Sequence, residues 1–133
     1  MNYLLDTHLI IWALLDKADK LRKARDIIAD KRNRKFYSLA SIWEITIKHR
    51  LHPDEFPSGE AVLGFCQMSG LIKLPIQENH ILALDRLERD SDAPPHRDPF
   101  DRLLLAQAQS EEMALLTHDK NLQYYSTVDV QLV

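Results

Sequence analysis

Asp6, Glu44, Asp101 and Asp119 are acids placed at or near the edges of apolar segments, and carboxylates so placed can hold a hard divalent cation. Asp6 ends the apolar run Asn2-Tyr3-Leu4-Leu5, and Asp119 follows Ala114-Leu115-Leu116-Thr117 across His118. An ionised group directly after a buried strand is costly unless it is paired or bound to metal, and no lysine or arginine adjoins Asp6. A ligand set made only of oxygen suits Mg²⁺ or Mn²⁺, with water and a substrate phosphate completing the octahedron. Acids pressed together without a cation raise one another's pKa values.

Each acid also has a structural explanation. Asp98 precedes Pro99 and reads as a helix N-cap, with Asp101 at the third helical position near the positive end of the helix dipole. Asp98 is therefore the second candidate at this site, as an outer ligand. Glu44 lies three residues after Ser41, the spacing of a capping box, and that pairing alone accounts for it. His8, His96 and His118 lack the paired helical spacing of a zinc site. His118 and Arg97 are candidates for contacts to a phosphate or are plain loop residues. Trp12 and Trp43 sit among aliphatic neighbours, which points to core or dimer-interface packing rather than base stacking.

The elements that must position these acids follow from apolar spacing. Strands are expected at 2–5, 36–39, 71–76, 114–117 and 127–133. Helices are expected at 9–15, 22–32, from Ser41 to about Leu51, 61–68, 78–87 and 99–111. Ile42, Trp43, Ile45, Ile47 and Leu51 form the expected core-facing side of the third helix. The stretches 53–58 and 90–98 carry prolines and read as loops. Strands that alternate with helices and are continuously apolar call for a mainly parallel sheet of four to five strands covered on both faces. Functional crevices of such sheets open beyond the carboxyl ends of the strands, where Asp6 and Asp119 fall.

With 133 residues, 45% of them hydrophobic, the chain matches one globular domain spanning 1–133. No apolar stretch reaches the length of a membrane span, and the start lacks a signal-peptide pattern, so a cytoplasmic, membrane-free protein is expected. The single cysteine, Cys66, reads as a buried small hydrophobe. A net charge of −3 conceals clustering: basic residues gather in 17–25 and 31–35, then at Lys48, His49 and Arg50, where they would draw nucleic acid or simply be solvated.

Taken together, Tyr3-Leu4-Leu5-Asp6-Thr7-His8, Ser41-Ile42-Trp43-Glu44-Ile45, the Asp98 to Ala108 stretch and Leu115-Leu116-Thr117-His118-Asp119 resemble the PIN domain nucleases, in particular the VapC-like toxins of bacterial type II toxin-antitoxin pairs. The resemblance spans essentially the whole chain. It implies a three-layer α/β/α fold and a Mg²⁺- or Mn²⁺-dependent endoribonuclease with Asp6, Glu44, Asp101 and Asp119 as the acidic quartet and Thr7 and Thr117 beside it. It also implies a homodimer and a cognate antitoxin whose peptide fills the acidic groove. Two rivals compete with it. In a magnesium-dependent phosphatase Asp6 would be the nucleophile, although His8 stands where the usual second acid belongs. A non-catalytic binding module would keep the groove only to hold a peptide.

Overall fold

The computed structural model describes residues 1–133. Five parallel strands, β1 (Asn2–Leu5), β2 (Arg34–Ser38), β3 (Ile72–Leu74), β4 (Ala114–Thr117) and β5 (Val130–Leu132), form one sheet in the order β3-β2-β1-β4-β5. The helices are α1 (Thr7–Leu14), α2 (Arg25–Ala29), α3 (Leu39–Leu51), α4 (Gly59–Met68), α5 (Glu78–Ala83) and α6 (Pro99–Ser110).

Strand pleating sends alternate side chains to opposite faces, and both faces are covered. Leu4, Phe36, Leu74 and Leu115 pack with Leu103, Leu104, Leu105 and Ala108 of α6. Tyr3, Leu5, Tyr37, Ala114 and Leu116 pack on the other side with Leu9, Ile10 and Ile11 of α1, Ile45 of α3, and Val62 and Cys66 of α4. The result is the expected three-layer α/β/α arrangement, with an all-parallel sheet. Cys66 lies in that core, where burial pushes its thiol up to about 11 and leaves it inert.

The chain runs outward from β1 through β2 to β3, then returns across to β4 on the far side of β1. The sheet therefore changes direction between β1 and β4, and the crevice it opens lies at their carboxyl ends.

Three local expectations are corrected. Helix α3 begins at Leu39, capped by Ser38, whose Oγ accepts from Ala40 N at 2.9 Å. Ser41 is thus inside the helix and Glu44 lies beyond its first turn, so no capping box ties them. Within α3 only Ile45 is fully buried among the expected core residues; Trp43, Ile47 and Leu51 are exposed and form a stripe four residues apart. Finally, the basic helix is only Arg25–Ala29, and the residues before it are turns. Charged residues dominate that stretch, which leaves too few apolar contacts to hold a longer helix.

The burial difference within α3 is directly measurable. Ile45→Ala is expected to cost about 2–5 kcal/mol in urea unfolding, as for other buried aliphatic truncations. Ile47→Ala should cost well under half as much, because its side chain already meets solvent.

Candidate active site

Asp6 follows β1 and is 3% exposed. Its Oδ1 accepts from Thr7 N at 2.7 Å, and its Oδ2 accepts from the Thr117 hydroxyl at 2.5 Å. The same Thr117 oxygen accepts from Asp119 N at 3.0 Å, so one hydroxyl ties the ends of β1 and β4 together. Thr7 Oγ1 in turn lies 2.8 Å from Ser41 Oγ, which fastens the start of α1 to α3. This places α3, and with it Glu44, beside the crevice.

Glu44 is 4% exposed. Its Oε2 pairs with Lys48 Nζ, one helical turn on, at 2.8 Å, while its Oε1 is buried with no partner. Asp119 starts a short 3₁₀ turn (Lys120–Tyr124), accepting from Asn121 N at 2.9 Å. Asp98 is the N-cap of α6, as its place before Pro99 predicts, with one oxygen accepting from Phe100 N and Asp101 N at 2.9 and 3.2 Å. Asp101 is oriented by His96, whose Nε2 lies 3.2 Å from Asp101 Oδ2. The other ring nitrogen of His96 lies 2.8 Å from the hydroxyl of the buried Tyr125. Burial and the nearby Arg89 lower the His96 pKa, so the ring is neutral at pH 7. If the Tyr125 hydroxyl donates to Nδ1, Nε2 carries the proton and donates to Asp101.

Nothing in the sequence links Tyr125 to His96. They are 29 residues apart and meet only through the fold. A faint signal was present in the His96-to-Asp101 spacing, within one loop and helix start.

The acids sense one another. Burial first, and then the charges of Asp6, Asp98, Glu44 and Asp119, push the Asp101 carboxyl up to about 8. Burial also raises Asp6, against the lowering effect of its Thr117 bond. All four expected acids thus lie around one crevice, with Asp98 at its rim. As they stand, however, no three histidine, cysteine or acidic side chains are grouped as a ready metal cage. Each is turned to a protein partner: Asp6 to Thr117, Glu44 to Lys48, Asp101 to His96. The donor set nevertheless fits a hard cation, being oxygen-rich, mutually repelling and in possession of an orphaned buried oxygen on Glu44. The largest cavity, about 750 Å³, is not this crevice; Asn2, Met113, Ala114 and Asp129 line it at the opposite end of the sheet.

Trp12 is half-buried, packed against the core with its ring beside His8 and His118, and Trp43 is exposed and meets Phe100 edge-on at 4.8 Å. Arg97 is exposed.

A doubly covered parallel sheet with acids gathered at its topological switch defines an α/β domain whose functional site lies beyond the carboxyl ends of its strands. More particularly, residues 3–127 match the PIN domain family model, and the chain belongs to that family, a family of nucleases whose members generally use divalent metal ions. No curated protein matches the chain. Among solved structures it is similar to VapBC2 from Rickettsia felis bound to a DNA fragment from their promoter, with TM-score 0.74, 16% identity, and 100% of this chain and 99% of that chain covered. It is also similar to VapBC-1 from nontypeable Haemophilus influenzae, with TM-score 0.68, 18% identity, and coverage of 99% and 98%. DNA-bound VapBC from Salmonella typhimurium gives TM-score 0.67, 15% identity, and coverage of 98% and 97%. At these identities the likeness is one of fold. No helix is long and apolar enough to cross a membrane.

The raised Asp101 pKa has a consequence for stability. A carboxyl that titrates near 8 when folded and near 3.9 when unfolded favours the fold most at low pH, and that contribution is lost as pH rises from about 4 to 8. The melting temperature of the protein in chelator should therefore fall between pH 5 and pH 8. Asp101→Asn should flatten much of that slope, with Asp6 supplying the rest in the same direction.

Proposed function

We propose that this protein is a Mg²⁺- or Mn²⁺-dependent endoribonuclease, cytoplasmic and built from a single PIN domain over 1–133, that acts as the toxin of a type II toxin-antitoxin pair. The observation that carries the reading is the crowding of buried acids at the crevice: burial, and then the charges of its neighbours, lifts Asp101 to about 8, and Glu44 Oε1 is buried and unpartnered. A cation relieves both at once.

Asp6, Asp101 and Asp119 are the proposed metal ligands, joined by Glu44, with Asp98 as an outer group. A bound divalent ion would supply an activated water for in-line attack on a phosphodiester and charge stabilisation at the leaving oxygen. The protein's own part is positional. Thr117 holds Asp6 and the Asp119 backbone in one register, and His96 holds Asp101 in its rotamer. Glu44, through its free oxygen, is the group best placed to take a proton from the attacking water.

A phosphoryl-enzyme route through Asp6 fits less well, because both of its oxygens are already hydrogen-bonded and the residue is 3% exposed. The antitoxin reading is supported by Lys48, which shows that the acidic groove accepts a basic side chain at salt-bridge distance. A basic antitoxin residue entering there would compete with the metal. The exposed stripe Trp43, Ile47 and Leu51 is apolar surface available to the proposed homodimer.

Cleavage of a labelled RNA with and without Mg²⁺ or Mn²⁺ tests the reading. The wild type should cut only with metal. Asp6→Asn should lose more than the roughly tenfold to hundredfold typical of residues that merely support metal ligands. Metal-independent cleavage, or full activity in Asp6→Asn, would sink it.

A further inference from the structure

A second constellation lies next to the acids and is basic and aromatic. His8 is two residues beyond Asp6, and His118 directly precedes Asp119, so both project from the carboxyl ends of the strands that carry the crevice. Between them stands Trp12, with ring centroids 5.9 Å from His8 and 5.3 Å from His118. Lys20 Nζ lies 5.1 Å from the Trp12 centroid. Beside this group is a pocket of about 420 Å³ lined by Asp19, Lys20, Arg22, Lys23, His118 and Val133. The His118 ring is anchored by donating Nδ1–H to the Val133 carbonyl at 2.7 Å.

Three features set this pocket apart from a solvated charge run. Lys20, Arg22 and Lys23 converge on one concavity although the segment is not helical there, whereas a solvated helix would spread them around its circumference. Val133, just beyond β5, supplies the oxygen that fixes His118, so the wall joins this residue to the 19–23 segment from a distant part of the chain. One residue of its wall, His118, directly precedes Asp119, so the concavity adjoins the crevice where a bound polyanion would continue.

We infer that this pocket is a nucleotide subsite of the RNA substrate: Lys20, Arg22 and Lys23 hold a phosphate flanking the scissile one, and its base rests against Trp12 and His118. The inference rests on the ribonuclease reading and deepens it. Cations in the pocket supply the attraction that a chain of net charge −3 otherwise lacks, and they do so where the acids need an opposing charge to admit a phosphodiester. Aromatic rings supply base contact without selecting one base, since every base has a face to stack.

The test uses Asp6→Asn protein in Mg²⁺ and a fluorescein-labelled oligouridylate of about twelve nucleotides, followed by anisotropy across a salt series. Adding Lys20→Ala and Lys23→Ala should weaken binding at least tenfold and flatten the plot of log affinity against log salt by about 0.7, the single-strand value for one lost phosphate contact. Removing two cations elsewhere, Lys73→Ala with Arg86→Ala, should leave the slope nearly unchanged. Trp12→Ala should weaken binding by roughly fivefold to a hundredfold, the range for loss of one stacked base. In a Trp43→Phe background, where Trp12 is the only tryptophan, the oligonucleotide should quench its emission. Equal effects of the two charge-removing pairs, no quenching of Trp12, or no binding by the parent protein would each overturn the subsite. Wild-type cleavage is scored separately: RNA cut with an unchanged KM in the pocket variants defeats the subsite alone. RNA bound in the pocket but never cut defeats the nuclease reading and leaves the subsite standing.

Discussion

The structure depends on how like charges are tolerated at one end of a buried sheet. Asp6, Glu44 and Asp101 are largely withdrawn from water, and the only cation bonded to any of them is Lys48. Neutral donors do the remaining work: a threonine hydroxyl and a backbone amide for Asp6, and a histidine ring for Asp101. Hydrogen bonds to a carboxylate favour its charged form, while burial and neighbouring acids oppose it. At Asp6 and Asp101 the opposition wins, and both pKa values rise. Such a site is strained by its own composition, and a divalent ion is the simplest relief.

The same constraint explains the polar residues that a purely apolar core would not contain. Thr7, Ser41 and Thr117 are all buried, and they link α1 to α3 and β1 to β4 around the crevice. Farther along α6, buried Gln107 accepts from Ser38 Oγ and donates to the Pro75 carbonyl, which joins the start of α3 to the segment after β3. These bonds run between elements distant in sequence, so they fix relative placement rather than local conformation. A carboxylate cluster needs that fixing, because a small shift of any one ligand changes the charge environment of all the others.

Much of this was legible in the residues. Strands β1 and β4 are short apolar runs bounded by acids, and Asp98-Pro99 marks a helix start by the capping preference of one residue and the fixed φ of the next. The central helix was less legible for a physical reason. Ser38 and Ser41 are both acceptable caps, and the choice is settled by the end of β2 and by Gln107, which lies 69 residues away. The apolar residues of α3 also extend around more than one face, so periodicity alone could not decide that Ile45 is covered while Trp43, Ile47 and Leu51 are not. Tyr125 was invisible as a partner of His96 because only the closed fold brings the two together.

The loss of the Ser41–Glu44 capping box alters the weight of Glu44 most. A glutamate in a capping box has its carboxylate committed to a backbone amide, and its charge needs no further explanation. Here the carboxylate is one turn deeper, buried, and satisfied at one oxygen by a lysine of its own helix. Lys48 is only partly buried and sits on a flexible stem, so it can swing away at the cost of one ion pair, whereas Glu44 cannot leave the crevice. Lys48 therefore stands as an internal counter-ion to Glu44 until another cation takes its place. Lys48 would then compete with metal for Glu44 and, once displaced, add a positive charge to the rim that faces an incoming phosphate.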